Sequence, residues 1–410
     1  MNCKCKMSVA FLLILALLVP LSFGCGGGEE GGGVTIVVGE IIDLTGPGSP
    51  AVKTYHYATQ DLARYYNDQG LIPGAKIKLV TWDMQFNPAR DLPGYDWCKQ
   101  QGAKVIFGVH ESTAVTLKPF AERDKIPVFT GSYSAAVAEP PGWSFIISAN
   151  TIKQAAVILD WVSETDWDYN QGVPKIGFFG WSESMGIATE KAVKEYCEAH
   201  PDKFKYGGGY FSPMGSSIFT GEIEKLKDCD YVWPMGFPAG QFIKEFRAKG
   251  YGAKFIGDTT QSAYRGFYVD LCGWNTIDGY ATLNLARWWN ESYPLANLAK
   301  ELVNEYHGGQ SKDIIWAGAG YVGGMSNLLA FYEILRQTVA QVGVEDFSGQ
   351  AVYDTAVKFK LNAESTPLWD SMPEWSFSDT SRSCVHDVAV YKWSAQDQDL
   401  VRVSDWLPLG

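Results

Sequence analysis

Histidine, cysteine and serine are the side chains here suited to chemistry at neutral pH, and their spacing decides which chemistry. There are five histidines, His56, His110, His200, His307 and His386. None belongs to an HxxxH or HExxH pair or to a Cys/His cluster, so no zinc site is expected. Beyond residue 25 come Cys98, Cys197, Cys229, Cys272 and Cys384. No CxxC spacing occurs among them, which argues against metal or redox chemistry. Their number is odd, so at least one thiol has no partner in the chain. Pairs Cys197–Cys229 and Cys272–Cys384 stay open, as do buried free thiols. GAGYVG (318–323) matches GxGxxG, but a dinucleotide fingerprint needs a βαβ unit closed by an acid. The downstream segment VEDFSGQ runs into another helix-like stretch, so the glycines read as close helix packing. GWSESMG (180–186) does not give GxSxG around Ser182 or Ser184, and no P-loop is present. The chain is therefore read as a non-enzyme, with no cofactor and no metal.

The chemistry left is binding. VIFG (105–108) and IPVFT (126–130) read as buried strands. Ser112 and Thr113 come after the first where a helix begins, and Ser134 stands in the same relation to the second. Helix starts offer unpaired N–H groups and a positive dipole end, so they hold anions without a full charge. The same serines also suit ordinary helix caps, and the two roles are compatible.

These serines need strands and helices to place them. VTIVVGEI (34–41) reads as a strand, and residues 52–66 as a helix with Tyr55, Ala58, Leu62 and Tyr65 on one face. Strand-like AKIKLVTW (75–82) precedes helical PARDLPGYDWCKQQ, expected to break at Pro93. WSFIISA (143–149) closes a first series. A second series has strands at VPKIGFFG (173–180), Tyr206–Phe211, YVWPM (231–235) and AKFIGD (253–258), alternating with helices. Such alternation means parallel sheets covered on both faces, and two series mean two sheets. Residues 294–361 are mostly helical. The segments 385–393 and 400–406 read as an antiparallel edge.

The N-terminus is of another kind. Lys4 and Lys6 precede an apolar run, residues 9–21, shorter than the roughly 18–20 residues of a membrane span. That is the pattern of an export signal, residues 1–24. Cys25 directly after Gly24 resembles the bacterial lipoprotein box, although Ser22 stands where leucine is usual. GGGEEGGG then reads as a flexible tether through residue 33. Lipidation of Cys25 is the expectation, and ordinary signal-peptidase cleavage the alternative. The leader holds two of the 34 basic residues and none of the 46 acidic ones. The remaining chain is thus strongly acidic, which speaks against nucleic acid and suits an exported protein.

Several segments fall in order. VVGEIIDLTGPGSP (37–50) resembles the opening strand and turn of the leucine-binding-type (type I) periplasmic solute-binding proteins, and YNDQGLIPGAKIKLVTWD (66–83) resembles a later element of that family. VIFGVHEST (105–113), IPVFTGSYS (126–134), IGFFGWSESMG (176–186) and GQFIKEFRAKGYGAKFIGD (240–258) come at the family's intervals. The resemblance implies an α/β fold of two Rossmann-like lobes with parallel sheets, joined by a three-strand hinge and closing on a ligand. Lobe 1 would comprise residues 34–148 and 282–368, and lobe 2 residues 149–281 and 369–410.

It also implies that Ser112, the backbone at Ser132, and Ser134 grip a carboxylate, with Thr113 beside Ser112 as a further ligand-binding candidate. The family's acid for an ammonium group falls on Thr259, with Asp258 just before it. A family tyrosine falls on Met185, near Trp181, and a second aromatic position near Phe237. Trp181, Phe237 and Trp316 are candidates for an apolar wall. The implied function is solute binding for an ABC importer, outside the cytoplasm and lipid-anchored, with a membrane permease as partner. The ligand would be a small carboxylate: an apolar amino acid if Asp258 reaches in, an aromatic or aliphatic acid if not. A ligand-sensing receptor component would use the same cleft. An exported hydrolase would need a nucleophile with a base.

Overall fold

The computed structural model describes residues 33–133 and 135–410. The expected leader (1–24), Cys25, the tether up to residue 32, and Ser134 lie outside the described residues.

In the first half of the chain, short apolar runs form strands and amphipathic runs form helices. β1 (Val34–Ile42), β2 (Ala75–Asp83), β3 (Val105–Gly108), β4 (Val128–Thr130) and β5 (Ser144–Ile146) form an all-parallel sheet in the order β2-β1-β3-β4-β5. Helices α1 (Ser49–Asp68), α2 (Asp91–Gln100), α3 (Glu111–Asp124) and the short α4 (Ala135–Ala138) connect them. β3, β4 and β5 are buried on both faces, as parallel strands under helical layers must be. Pro93 does not break α2. It sits in the first turn, where the missing N–H would have no intrahelical partner anyway.

The second sheet repeats this wiring. β6 (Lys175–Trp181), β7 (Lys205–Ser212), β8 (Tyr231–Pro234), β9 (Lys254–Gly257) and β10 (Ala281–Asn284) run in the order β7-β6-β8-β9-β10. The intervening helices are α5 (Thr151–Trp161), α6 (Ser184–Ala199), α7 (Thr220–Leu226), α8 (Ala239–Ala248), α9 (Arg265–Cys272) and α10 (Trp274–Ile277). The late helices α11 (Pro294–His307), α12 (Ser311–Ala317), α13 (Ala319–Val342) and α14 (Gly349–Ala356) return to the first lobe, where α13 packs along α1. A small ladder pairs β11 (Lys360–Leu361) with β12 (Trp375–Ser376). The chain then runs to β13 (Asp387–Ser394), β14 (Asp399–Arg402) and β15 (Leu407–Pro408), which add an antiparallel edge to the second sheet. The fold is therefore α/β, with one parallel and one mixed sheet.

Two boundaries differ from the expectation. β10 pairs with both β9 and β13, so residues 282–284 belong to the second sheet. Residues 382–384 run beside β5: Ile146 N–H donates to the Arg382 carbonyl at 2.6 Å and Cys384 N–H to the Ile146 carbonyl at 3.1 Å. That segment thus stays with the first lobe beyond residue 369. Backbone pairing decides both cases, and composition carries no trace of it.

The glycines of GAGYVG open α13, and their role is contact. A Cβ on Gly320 would lie 2.1 Å from Thr54 Oγ1 and 2.5 Å from the Ala51 carbonyl oxygen of α1. Phe107, Phe129 and Phe331 pack between sheet and helix, with centroids of Phe331 5.7 and 5.2 Å from the other two rings. In the second lobe Phe179 stacks on Phe242 at 4.2 Å. All five described cysteines are free, and all but Cys272 are buried. Among the described residues no single helix is long and apolar enough to cross a membrane.

Candidate functional site

In an open parallel sheet, loops leaving the carboxyl ends of two neighbouring strands part in opposite directions where the strand order reverses, and they leave a crevice. Here that point lies between β1 and β3 in the first sheet and between β6 and β8 in the second. The two crevices share one cavity of about 420 Å3, a volume within the range of about 300–1,000 Å3 usual for small-molecule pockets. Its first-lobe wall comes from the turn after β1 and the start of α1, from Val109–Ser112 after β3, and from Gly131–Ser132 after β4. Its second-lobe wall comes from Trp181 and Glu183–Met185 after β6, from Gly236–Phe237 after β8, and from Thr259–Tyr264 after β9. Residues 284–288, leaving β10, complete it at the crossing between lobes.

Of the expected site residues, Ser112, Ser132, Trp181, Met185, Phe237 and Thr259 line this cavity. Ser112, in the first turn of α3, lines the cavity and makes no side-chain hydrogen bond among the described residues. Ser132 is already engaged: its hydroxyl donates to the Val109 carbonyl at 2.6 Å and its N–H to Thr130 Oγ1 at 3.2 Å. Trp181 packs against Phe237 at 5.6 Å, and Phe237 stacks on Phe267 at 4.5 Å. Thr259 N–H donates to Gln154 Oε1 at 2.9 Å.

Three expected residues lie off the wall, each for a local reason. Thr113 is one position beyond Ser112, a rotation of about 100° about the helix. That turns its hydroxyl inward, where it donates to Asp91 Oδ1 at 2.8 Å. Asp258 is fully buried, and its Oδ1 folds back to accept from Thr260 N–H and Thr260 Oγ1 at 2.8 and 2.6 Å. Burial raises its pKa. It caps the next turn and does not reach the cavity, so it is not placed to meet an ammonium group there. Trp316 is engaged in the α9–α12 contact, donating through Nε1 to Asp270.

Asp91, beneath α3, makes stability depend on pH. Burial pushes its pKa up to about 6, against the smaller opposing effect of the Thr113 hydroxyl. The folded protein therefore holds a proton that the unfolded chain has released, and stability falls as pH rises from about 4 to about 6. Asp91→Asn is expected to flatten this part of the urea-denaturation profile and to raise stability at pH 7 by on the order of 1 kcal/mol. An unchanged profile would exclude Asp91 as its source.

The wall also carries groups the sequence does not single out. His110 Nε2, Asn284 Nδ2 and Arg287 Nε are buried without a hydrogen-bond partner, and Tyr55 Oη and Asn327 Oδ1 have only each other. Burial lowers the His110 pKa to about 4, so this ring is neutral at pH 7. Phe86 meets it edge-on at 5.0 Å. Phe86 and Gln85 are held at φ of 53° and 56°, a left-handed conformation that non-glycine residues rarely adopt. Glu111 and Glu183 are the two carboxylates on the wall, and Arg287 is its one full cation among the described residues. Arg287 is itself shared with Glu291 at 3.6 Å and the Ser371 carbonyl at 3.0 Å. A largely apolar, sparsely charged, aromatic-lined cavity of this size suits a small organic molecule.

Residues 35–398 match the family model described as periplasmic binding protein. A comparison with curated proteins gives no match. Among solved structures, a branched chain amino acid ABC transporter protein from Thermus thermophilus with bound valine is 17% identical. It covers 92% of this chain and 97% of its own, with a TM-score of 0.80. A solute binding protein from R. palustris in complex with 4-hydroxybenzoate is 16% identical over 91% of this chain and 96% of its own, with a TM-score of 0.73. A fatty acid ABC transporter substrate-binding protein from Thermomonospora curvata is 14% identical over 91% and 92%, with a TM-score of 0.75. At these identities the likeness is one of fold.

Proposed function

Because this chain belongs to the periplasmic binding protein family, we propose that it is an extracytoplasmic solute-binding protein that delivers a small carboxylate to an ABC permease. The observation that carries this reading is the shared cavity at the carboxyl ends of both sheets, lined by Ser112 at the start of α3 on one side and by Trp181 and Phe237 on the other. The solute is an apolar amino acid or an aromatic or aliphatic acid. Its carboxylate sits at the α3 tip, where unpaired N–H groups and the dipole favour negative charge. Ser112 and the Thr259 hydroxyl supply polar contacts and Trp181, Met185 and Phe237 the apolar ones, while Ser132, whose hydroxyl and N–H donate within the protein, shapes the loop after β4. Ser134, outside the described residues, is kept as a further contact at the end of β4. Closure of the two lobes traps the solute and presents a joint surface to the permease.

The Ser184 hydroxyl donates to Glu111 Oε2 at 3.4 Å, and no histidine bonds to it among the described residues. The sequence at Leu21–Cys25 supports lipid anchoring through Cys25 after removal of residues 1–24. Cys25→Ser is expected to move the exported protein from the membrane fraction to the soluble one.

The binding reading is tested by thermal shift. Small carboxylates are expected to raise the Tm in a concentration-dependent way, by about 2.7 kcal/mol of stability at a hundredfold excess over Kd. The matching primary amides should do less, and Ser112→Ala should narrow the gap. If amides and acids act alike in the unaltered protein, the carboxylate assignment is wrong.

A further inference from the structure

Glu111 and Glu183 come from different lobes. Glu111 is the first residue of α3, and Glu183 immediately precedes α6. Both line the cavity. Their loops meet across the cleft: the hydroxyl of Ser184, next in sequence to Glu183, donates to Glu111 Oε2 at 3.4 Å. Burial raises the pKa of Glu183, and the Glu111 carboxylate raises it further.

Neither acid has an ion-pair partner among the described residues. Glu183 makes no side-chain hydrogen bond there. The neutral His110 does not compensate them, and Arg287, the one cation on the wall among the described residues, pairs with Glu291 and with neither acid. Two carboxylates thus face one partly desolvated space with no cation between them, where water screens them poorly. Aromatic rings surround that space on the second lobe, namely Trp181, Phe237 and Tyr264. Ring faces attract cations and repel anions.

A second observation also points to a bound molecule. Asn284 and Asn327 are each 5% exposed and Tyr55 7%. All three residues line the same cavity; Asn284 Nδ2 has no hydrogen-bond partner there, and Tyr55 Oη and Asn327 Oδ1 have only each other. Buried polar atoms are nearly always satisfied, so this wall is built for a ligand with polar groups at more than one place.

We propose that Glu183 and Glu111 together seat a positively charged nitrogen of the solute, and that this nitrogen, by separating the two acids, permits the lobes to close. The proposal rests on the solute-binding reading and narrows it to amine-bearing carboxylates, with a primary or N-methylated ammonium group. It assigns the ammonium to the loop after β6 and the tip of α3, in place of the residues after β9. Without the cation, bringing the two acids closer costs electrostatic energy that only the Ser184–Glu111 hydrogen bond offsets. With it, each lobe gains a charge-assisted contact.

The test uses the full exported chain and its Glu183→Gln and Glu111→Gln variants, checked for unchanged circular dichroism. Titration calorimetry is run with L-leucine, L-phenylalanine and L-tryptophan, their N-trimethyl derivatives, and the matching 2-hydroxy acids. The expected result is that at least one amine-bearing series binds the unaltered protein more tightly than its 2-hydroxy counterpart. Glu183→Gln should lose about 10- to 100-fold in affinity for that series, the range for one charge-assisted hydrogen bond, and keep its affinity for the 2-hydroxy acid. Glu111→Gln should lose in the same direction. If the 2-hydroxy acids bind as tightly as the amines, or Glu183→Gln keeps the full discrimination, the cation seat is overturned while solute binding stands. If no probe of any series binds, the carboxylate reading falls together with it.

Discussion

Replacing Arg265 by alanine is expected to cost about 3–5 kcal/mol of unfolding free energy, the range for breaking one side of a buried ion pair. The Arg265 side chain is 5% exposed, and its Nη1 donates to Asp399 Oδ1 at 2.5 Å. Nη2 donates to the carbonyls of Ile315 and Trp316 at 2.6 and 3.2 Å. The guanidinium carbon lies 5.1 Å from the Trp288 ring and 5.2 Å from the Trp316 ring. One side chain therefore ties α9 of the second lobe to β14, to α12 of the first lobe, and to the crossing segment at Trp288. Its loss leaves two carbonyls short of a donor. It also leaves Asp399 with only neutral donors, Trp288 Nε1 at 2.6 Å and Asn290 Nδ2 at 3.2 Å. Arg265→Lys should recover less than half, because an ammonium cannot reproduce the planar fork or the stacking. Urea denaturation measures both variants. A change below about 1 kcal/mol for Arg265→Ala, the level of an exposed pair, would show that this network does not hold the crossing.

The second large effect is expected at Gly318, between α12 and α13. Its φ is +125° and its ψ −139°, a conformation in effect reserved for glycine. A Cβ there would lie 2.2 Å from the Ser262 carbonyl oxygen and 3.1 Å from Arg265 Cβ. The Gly318 carbonyl also accepts from Trp289 Nε1 at 2.9 Å. Gly318→Ala thus combines about 1–3 kcal/mol of backbone strain with about 1–3 kcal/mol of overpacking. The wedge has a functional side, since Ser262 and Ala319 both line the cavity. Pushing them apart should weaken solute binding by on the order of tenfold, as a misplacement of one contact does. Gly70→Ala is the control. Gly70 has φ +60° but nothing within 4 Å of its Cβ position, so only about 1–2 kcal/mol of backbone cost is expected. Equal losses for the two variants, in calorimetry and in binding, would refute the wedge.

Part of the site is legible in the chain's local pattern. The serine after VIFG falls on the cavity wall because a buried parallel strand must release its chain at its carboxyl end, beside the next helix. Trp181, Met185, Phe237 and Thr259 also stand at or after strand ends, but the family resemblance, not the local pattern, singles them out. The glycines of GAGYVG are likewise legible as packing, since the segment after α13 is no strand. Asp258 is not, because the residue after a strand can either enter the crevice or fold back on its own turn. Here two bonds from Thr260 hold it back. Glu111 and Glu183 stand in VHEST and WSESMG, beside serines that carry the more obvious chemistry. Their meaning needs both lobes, because one acid alone is an ordinary charged helix start.

The sequence by itself determined the elements, their alternation and the two sheets, because hydrophobic period and turn residues act over a few positions. It also marked strand ends as the place for ligand chemistry. Only the tertiary structure decided which of those ends face one another, that β10 and residues 382–384 serve the lobes they do, and that two acids and several buried polar groups converge on one cavity. Those outcomes arise from contacts between residues tens to hundreds of positions apart, and no local pattern of side chains encodes the angle at which two lobes meet.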